Sequence, residues 1–349
     1  MKTPTIRDVA ALAGVSHQTV SRVINNRETV ARSTQERVLA AIRDLDYVPN
    51  PSARGLSSKR THTLGMVSSD VSDHAFAEAV AGAEAEARRH GFFLIIGSVE
   101  EEAEEDERAY LRLMLERRVE GLIVAWPTLR VDSDNQLRSI PSRVPLVVVA
   151  SEVELPGATV VDVDNRRGGF DATSLLISEG HRRIATITGP LEWPSARARL
   201  AGYQDALKMW RLAEEASLVV SSPDWGLANG QSGAAHLLDG GSPFTAIFAQ
   251  SDLLALGAIS ELRARAIAVP GDVSVIGYDD LPIAGFVDPP LTTVHQPMRG
   301  VGALAVSLLI DEIARERLGG ERQPSRHLLP AHPVVRSSVG RAPSDARPG

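Results

Sequence analysis

The sequence predicts an α/β protein with a small N-terminal helix-turn-helix head and a much larger body built on parallel sheets. Three observations carry this. Residues 6–45 hold three helical patterns and no strand. From Leu64 onward, short apolar strands alternate with amphipathic helices, punctuated by glycine and proline. Charge divides at the same place: residues 1–60 carry ten Lys or Arg against five Asp or Glu, a balance of +5, whereas the whole chain carries −7. A basic head on an acidic body is the footprint of a polyanion partner.

The bulk numbers bound the rest. At 349 residues the chain has room for two or three domains with sizeable cores. It has no cysteine, which excludes a disulfide framework, a thiolate nucleophile and a cysteine-ligated zinc site. The start MKTPTIRDVA has no apolar signal region, and the longest apolar runs, such as PLVVVA at 145–150, are too short to cross a bilayer. The expected location is the cytoplasm. There is no Gly-x-Gly-x-x-Gly after a strand, no phosphate loop, no His-Glu-x-x-His, and no His, Asp or Glu set with metal-ligand spacing. We therefore expect no enzyme, no cofactor and no metal.

In the head, Thr5 with Asp8 fits a capping box that starts a helix over 6–13. Gly14 supplies a left-handed turn, and Ser16 caps a second helix over 17–25, with Val20 and Val23 facing inward. A third helix is expected to begin at Ser33, which forms a capping box with Glu36. Two short helices joined through a tight glycine turn make a helix-turn-helix. The outward residues suit DNA better than a plain three-helix bundle. Gln18 can pair with adenine and Arg22 with guanine, and Ser16, Thr19, Ser21 and Asn25 suit phosphate oxygens. Arg7 and Arg32 add charge.

TIRDVAALAGVSHQTVSRVINN resembles the head of the lactose-repressor family of bacterial transcription regulators. The following YVPNPSARGLSSKR resembles the end of that family's third helix and its hinge helix. The resemblance implies that His17 and Gln18 read bases in the major groove with Arg22. It also implies a hinge helix from about 50 to 57 that brings Asn50, Ala53 and Leu56 to DNA, with Leu56 as a wedge in the minor groove. The residues agree: Asn50 is a good N-cap, and Pro51 fits the first helical position. A helix of six or seven residues cannot hold alone, so it needs a second hinge and DNA to pack against.

In the body, strands are expected at 63–67, 92–96, 121–124 and 145–149, with helices near 75–90, 104–117 and 132–139. A second set follows, with strands at 158–161, 184–188, 217–220, 245–248 and 273–276 alternating with helices at 165–179, 195–209, 227–239 and 252–265. An extended LTTV at 291–294, a long helix from Met298 to about Arg317 and short strands near 326–335 complete the pattern. The resemblance extends over almost the whole chain and implies a two-lobed periplasmic-binding-protein-like domain whose chain crosses three times between lobes. The expected divisions are the head at 1–49 and the hinge and linker at 50–60. The first lobe takes 61–161 with 293–322, the second 162–290 with 323–339, and 340–349 forms a disordered tail.

Several polar residues follow strands, where open α/β sheets place ligands. By position, and by resemblance to family residues that hold a ligand, the expected effector contacts are Arg197, Trp225, Ser251, Asp252, Asp279 and Gln296. Ser69, Asp70 and Phe76 join them from the loop after the first strand. Arg197 would donate a forked pair of bonds, Asp279 would accept from hydroxyls, and Trp225 would stack on a sugar ring. Arg197 and Arg199 stand two apart and so point differently on a helix. Asp252 can instead cap its helix, and Asp279 or Asp280 can merely close a turn. The resemblance makes His181 a structural residue between helix and strand. Two positions depart from the lactose-sensing pattern: Ala150 stands where that pattern has an acid, and Ser251-Asp252 stands where the family commonly has Asn-Asp.

The function so implied is a ligand-responsive repressor, released from its operator by a sugar or glycoside bound between the lobes. A homodimer would present two heads to a roughly palindromic, double-stranded operator. SVGRAPSDARPG at the C-terminal end shows no apolar heptad for a tetramer. An activator or a corepressor-dependent regulator would use the same parts. A solute-binding transport protein is opposed by the basic head and the absent signal region.

Overall fold

The computed structural model describes residues 4–25, 30–47, 60–68, 73–98, 104–125, 140, 144–149 and 157–343, which form two units dividing at Thr61–His62. The expected helix near 132–139 and hinge segment 50–57 lie outside these residues.

The head is three helices: α1 (Ile6–Ala13), α2 (His17–Asn25) and α3 (Arg32–Asp44). The Asp8 carboxylate accepts from the backbone N–H of Thr5 at 2.8 Å, which satisfies one of the donors a helix start leaves open. Gly14 ends α1 at φ 63°, a left-handed conformation that glycine adopts without penalty. Ser16 Oγ accepts from Thr19 N at 3.1 Å and so caps α2. Val9, Val20, Val23 and Val38 are fully buried between the three helices. The third start differs from expectation. Helix α3 begins one residue early, at Arg32, with Ala31 at its N-cap and no side-chain cap. Gln35 fastens this turn instead, donating to Val30 O at 2.6 Å.

The body carries two parallel sheets. The first holds β1 (Thr63–Ser68), β2 (Phe93–Ser98), β3 (Leu122–Ala125), β4 (Leu146–Val149), β5 (Thr159–Val163) and β11 (Arg326–Leu329), in the order β11-β5-β4-β3-β1-β2. The second holds β6 (Ile184–Thr188), β7 (Val219–Ser221), β8 (Ala246–Ala249) and β9 (Ser274–Ile276), in the order β7-β6-β8-β9. Strands β1, β3, β4, β6 and β8 are almost entirely buried, which is why they read as unbroken apolar runs.

The helices pack in pairs: α4 (His74–Arg89) with α10 (Met298–Arg317), α6 (Asn165–Ser178) with α7 (Pro194–Met209), and α8 (Leu227–Asp239) with α9 (Asp252–Ala264). Helix α5 (Glu104–Glu116) covers the remaining side of the first sheet, with Leu111 and Met114 in its core. Each of the three pairs meets through reciprocal glycines. A Cβ added at Gly82 would stand 2.0 Å from Arg299 O, and one at Gly302 1.9 Å from Ala79 O. Gly169 and Gly202 do the same between α6 and α7, and Gly230 and Gly257 between α8 and α9.

Two expected boundaries are corrected. Residues 326–329 do not belong to the second lobe. As β11 they pair in parallel with β5, Arg326 opposite Val160 and Leu329 opposite Val163, and so form an edge of the first sheet. The chain then leaves that sheet, and β12 (His332–Val334) pairs antiparallel with β10 (Thr293–His295) in a two-stranded ribbon. The chain thus crosses between sheets at 163–165, 291–298 and 329–332.

The tail is the second correction. Gly340 and Ala342 are bonded to the second lobe, and of this tail 344–349 lie outside the described residues. The Ser338 hydroxyl donates to Val275 O at 2.6 Å, and Ala342 N donates to Glu179 O at 2.9 Å. His181 is 1% exposed and bonds Gly340 O through Nε2 at 3.1 Å and the Thr245 hydroxyl through Nδ1 at 2.8 Å. A carbonyl only accepts, so Nε2 carries the proton and Nδ1 accepts from Thr245.

Candidate functional site

A cleft of about 220 Å³ opens between the two sheets of the body. That is below the roughly 300–1,000 Å³ usual for ligand sites. Polar groups reach it from both sides: Asp73 and Asp162 from the first sheet's side, and Ser251 and Asp279 from beyond the C-terminal ends of β8 and β9, where open parallel sheets place ligands.

The central residue is Arg199, not Arg197. Helix α7 starts at Pro194, which puts Ala196, Arg199, Tyr203 and Ala206 on its buried face. Arg199 is 5% exposed. Its Nε donates to Asn165 Oδ1 at 2.9 Å and its Nη1 to Gln250 O at 2.6 Å. Its guanidinium carbon stands 3.8 Å from the Tyr278 ring centroid and 5.3 Å from that of Trp225. Arg197, two residues earlier, points away to the flank, where its Nη1 donates to the carbonyls of Leu191 and Glu192 at 2.7 and 2.9 Å. The expectation for Arg197 is corrected by helix phase: a two-residue step turns a side chain to another face.

Asp279 does border the cleft. It sits just past β9 at φ 113°, an uncommon conformation outside glycine, and its N–H donates to Val294 O at 2.8 Å. Its Oδ1 accepts from Gln296 Nε2 at 2.6 Å and stands 3.7 Å from Arg199 Nη1. Burial pushes this carboxyl above the usual range. Arg199 opposes the shift, and the nearby Asp252 adds to it.

Phe76, Trp225, Ser251 and Gln296 also line the cleft. Phe76 is placed by the cap of α4, where Asp73 Oδ1 accepts from the N–H groups of Ala75 and Phe76. Ser251 caps α9, accepting from Leu254 N at 3.1 Å. Trp225 meets Trp193 edge to face, ring centroids 5.6 Å apart.

Asp252 is fully buried and does not line the cleft; it is corrected to a structural residue. Its carboxylate accepts from Leu281 N at 2.7 Å and from the Thr293 hydroxyl. Burial pushes this carboxyl upward too, against those two hydrogen bonds. Ser69, Asp70 and Ala150 lie outside the described residues. Sequence reasoning missed Arg199, Asn165, Asp73 and Trp193.

On the head, Arg7, Ser16, His17, Gln18 and Arg22 are exposed, while Thr19 and Ser21 are half-buried. Ser16 and Thr19 hydroxyls bond each other at 2.9 Å. His17, Gln18 and Arg22 thus stand on the outer side of α2, opposite buried Val20 and Val23, an arrangement that can enter a major groove. Asn25 ends α2. Asn50, Ala53 and Leu56 lie outside the described residues. Among the described residues, no cluster of His, Asp or Glu could hold a metal, and no helix is long and apolar enough to cross a membrane.

Comparison with known proteins agrees with this two-part architecture. Residues 5–50 match the lacI family of bacterial regulatory proteins, and residues 173–339 match the periplasmic binding protein-like domain. The chain is 33% identical over 340 residues to the HTH-type transcriptional repressor CytR of Escherichia coli (strain K12), covering 97% of each. It is 37% identical over 346 residues to the HTH-type transcriptional repressor PurR of Vibrio campbellii, covering 96% of this chain and 98% of that one. Its structure resembles the lac repressor dimer bound to operator and the anti-inducer ONPF, with a TM-score of 0.86 and 31% identity over 97% of this chain and all of that one. It also resembles the complex of the transcriptional regulator CelR with cellobiose, with a TM-score of 0.70 and 34% identity over 96% of this chain and 99% of that one. These proteins are transcriptional repressors and regulators. The chain belongs to the lacI family of bacterial regulatory proteins and is a ligand-responsive transcriptional regulator of the repressor type.

Proposed function

We propose that the protein works in the cytoplasm as a homodimer that holds a roughly palindromic, double-stranded operator and releases it when a sugar or glycoside fills the cleft. The observation that carries the ligand class is the pairing of Arg199 with Asp279 in a small cleft bordered by Phe76, Trp193 and Trp225. A guanidinium and a carboxyl side by side serve both faces of a hydroxyl, one donating and one accepting. Aromatic groups at the border suit the apolar C–H surface of a sugar ring. The relative complexed with cellobiose is in keeping with this class.

Dimerisation is supported by the lac repressor dimer and by large apolar groups left exposed here. Phe93 on edge strand β2 is 70% exposed, and Phe286 on the second lobe 90%. The effector contacts proposed are Arg199, Asp279, Gln296, Ser251, Trp225 and Phe76. The DNA contacts proposed are those of the exposed face of α2, with Arg7 and the hinge residues Asn50, Ala53 and Leu56.

The test is thermal shift of the full-length protein against a panel of mono- and disaccharides, repeated with operator DNA obtained by selection. A sugar that raises the melting temperature alone and lowers operator affinity supports the reading. A sugar that tightens operator binding assigns a corepressor instead. No shift with any sugar, for protein that binds its operator, overturns the ligand class.

A further inference from the structure

The floor of the cleft is threaded by a single line of side chains that starts at one lobe crossing and ends at another. Asn165 is the first residue of α6, two residues past β5, and is 5% exposed. Its Nδ2 donates to Val163 O at 3.2 Å, and its Oδ1 accepts from Arg199 Nε at 2.9 Å. Arg199 Nη1 then stands 3.7 Å from Asp279 Oδ1. That same oxygen accepts from Gln296 Nε2 at 2.6 Å. Gln296 follows β10, two residues before α10 returns the chain to the first sheet.

We propose that Asn165 and Gln296 are positioning residues: they hold Arg199 and Asp279 in place and join the 163–165 crossing to the 291–298 crossing through the cleft floor. The shared oxygen makes the line responsive. Gln296 occupies Asp279 Oδ1 and holds Arg199 at ion-pair distance, outside hydrogen-bond reach. When Gln296 is removed, Arg199 becomes the nearest donor to that oxygen and is drawn toward it, away from Asn165. When Asn165 is removed, Nε loses its acceptor, and the guanidinium, then held by Gln250 O alone, pivots over Tyr278 toward Asp279 and competes with Gln296 for Oδ1. Rotation of the lobes alters the torsions at both crossings, and so acts on the two residues, Asn165 and Gln296, that anchor the ends of this line. A ligand seated on Arg199 and Asp279 therefore acts on both crossings at once. Only this use by a ligand rests on the function proposed above; the line itself is tested without one.

The experiment is hydrogen exchange followed by mass spectrometry on the full-length, ligand-free protein and on Asn165→Ala, Asn165→Asp and Gln296→Ala. Two peptides report, one covering 162–168 and one covering 293–298, with one over 246–249 as reference. Each alanine variant is expected to speed exchange in the peptide at the opposite crossing by about two- to tenfold, the worth of one hydrogen bond. The reference peptide stays unchanged. Asn165→Asp keeps an acceptor for Arg199 Nε and is expected to restore protection at 293–298. A helix start that merely frays would be felt at 162–168 alone. Substitutions felt only at their own crossing, or Asn165→Asp behaving as Asn165→Ala at 293–298, overturn the proposal. If Asn165→Ala does not fold, Gln296→Ala read at 162–168 decides alone. A sugar panel with no binder would end the ligand reading and leave this result standing.

Discussion

The guanidinium of Arg199 lies over the ring of Tyr278, 3.8 Å from its centroid, and is pinned at two corners by Asn165 and Gln250. Tyr278 is fully buried, and burial pushes its hydroxyl well above its ordinary titration range, so the ring stays neutral beneath the cation. Arg199→Ala is therefore expected to act twice. It removes about 1.5–3 kcal/mol of charge-assisted bonding to a ligand, roughly a ten- to hundredfold loss of effector affinity. It also lowers the melting temperature, because the acceptors on Asn165 and Gln250 are left buried and unpaired. Arg197→Ala should change effector affinity by less than about twofold. Operator binding followed by fluorescence anisotropy, with and without a sugar found in the panel, compares them. Equal effects of the two substitutions would contradict the assignment.

The sequence contains the signal that separates these two arginines. Ala196, Arg199, Tyr203 and Ala206 fall on one helical stripe, so an arginine in phase with buried small and aromatic residues is the inward one. Position after a strand points to the segment but not to the face. Strand order is different in kind. Nothing near Arg326 announces that its partner is Val160, because the pairing joins segments far apart in the chain. The tail is misread because GRAPSDARPG is rich in proline and polar groups, while its attachment depends on His181 and Ser274, which lie elsewhere. The head is readable, apart from the start of α3, because the caps of α1 and α2, the glycine turn and the valine stripe are local.

Gly202 also carries function through packing. A Cβ there would stand 2.0 Å from Arg166 O and 2.6 Å from Phe170 N, both rigid helix backbone. Gly202→Ala must push α7 off α6. The expected cost is about 1–3 kcal/mol, the usual range for overpacking, read in urea unfolding. Because α7 carries Arg199 and α6 carries Asn165, effector affinity should fall as well. Wild-type stability in Gly202→Ala would mean that the two helices separate more easily than this packing allows.

His181 makes stability depend on pH with a definite sign. Burial lowers its pKa, outweighing the bond to Gly340 O, so the folded state prefers neutral imidazole. The unfolded state then binds more protons as acidity rises, and stability falls as pH drops below the ordinary histidine value of about 6.5. Asp252 and Asp279, whose pKa values are raised, contribute with the opposite slope. The comparison must therefore be with His181→Gln, which is expected to be less stable at pH 8 but to lose less between pH 7 and 5. Parallel curves for the two proteins across that range would show that His181 does not titrate on unfolding.

The outer face of α2 separates reading from holding. Gln18 and Arg22 are exposed one turn apart on that helix, opposite fully buried Val20 and Val23, so docking in a major groove would bring both to base edges. Arg7 is exposed on α1, which in a helix-turn-helix crosses the backbone. Gln18→Ala and Arg22→Ala are each expected to cost roughly 1–3 kcal/mol on the selected operator and much less on random DNA. Arg7→Ala should weaken both kinds of DNA alike and reduce the slope of log affinity against log salt by about 0.9, the value for one phosphate. None of the three side chains supports the core, so melting of the free protein should not change. The measurements are salt titrations of operator and random duplexes by fluorescence anisotropy. Equal losses on both duplexes for Gln18→Ala or Arg22→Ala would move that residue from base reading to the backbone. An unchanged salt slope in Arg7→Ala would remove Arg7 from the phosphate contacts.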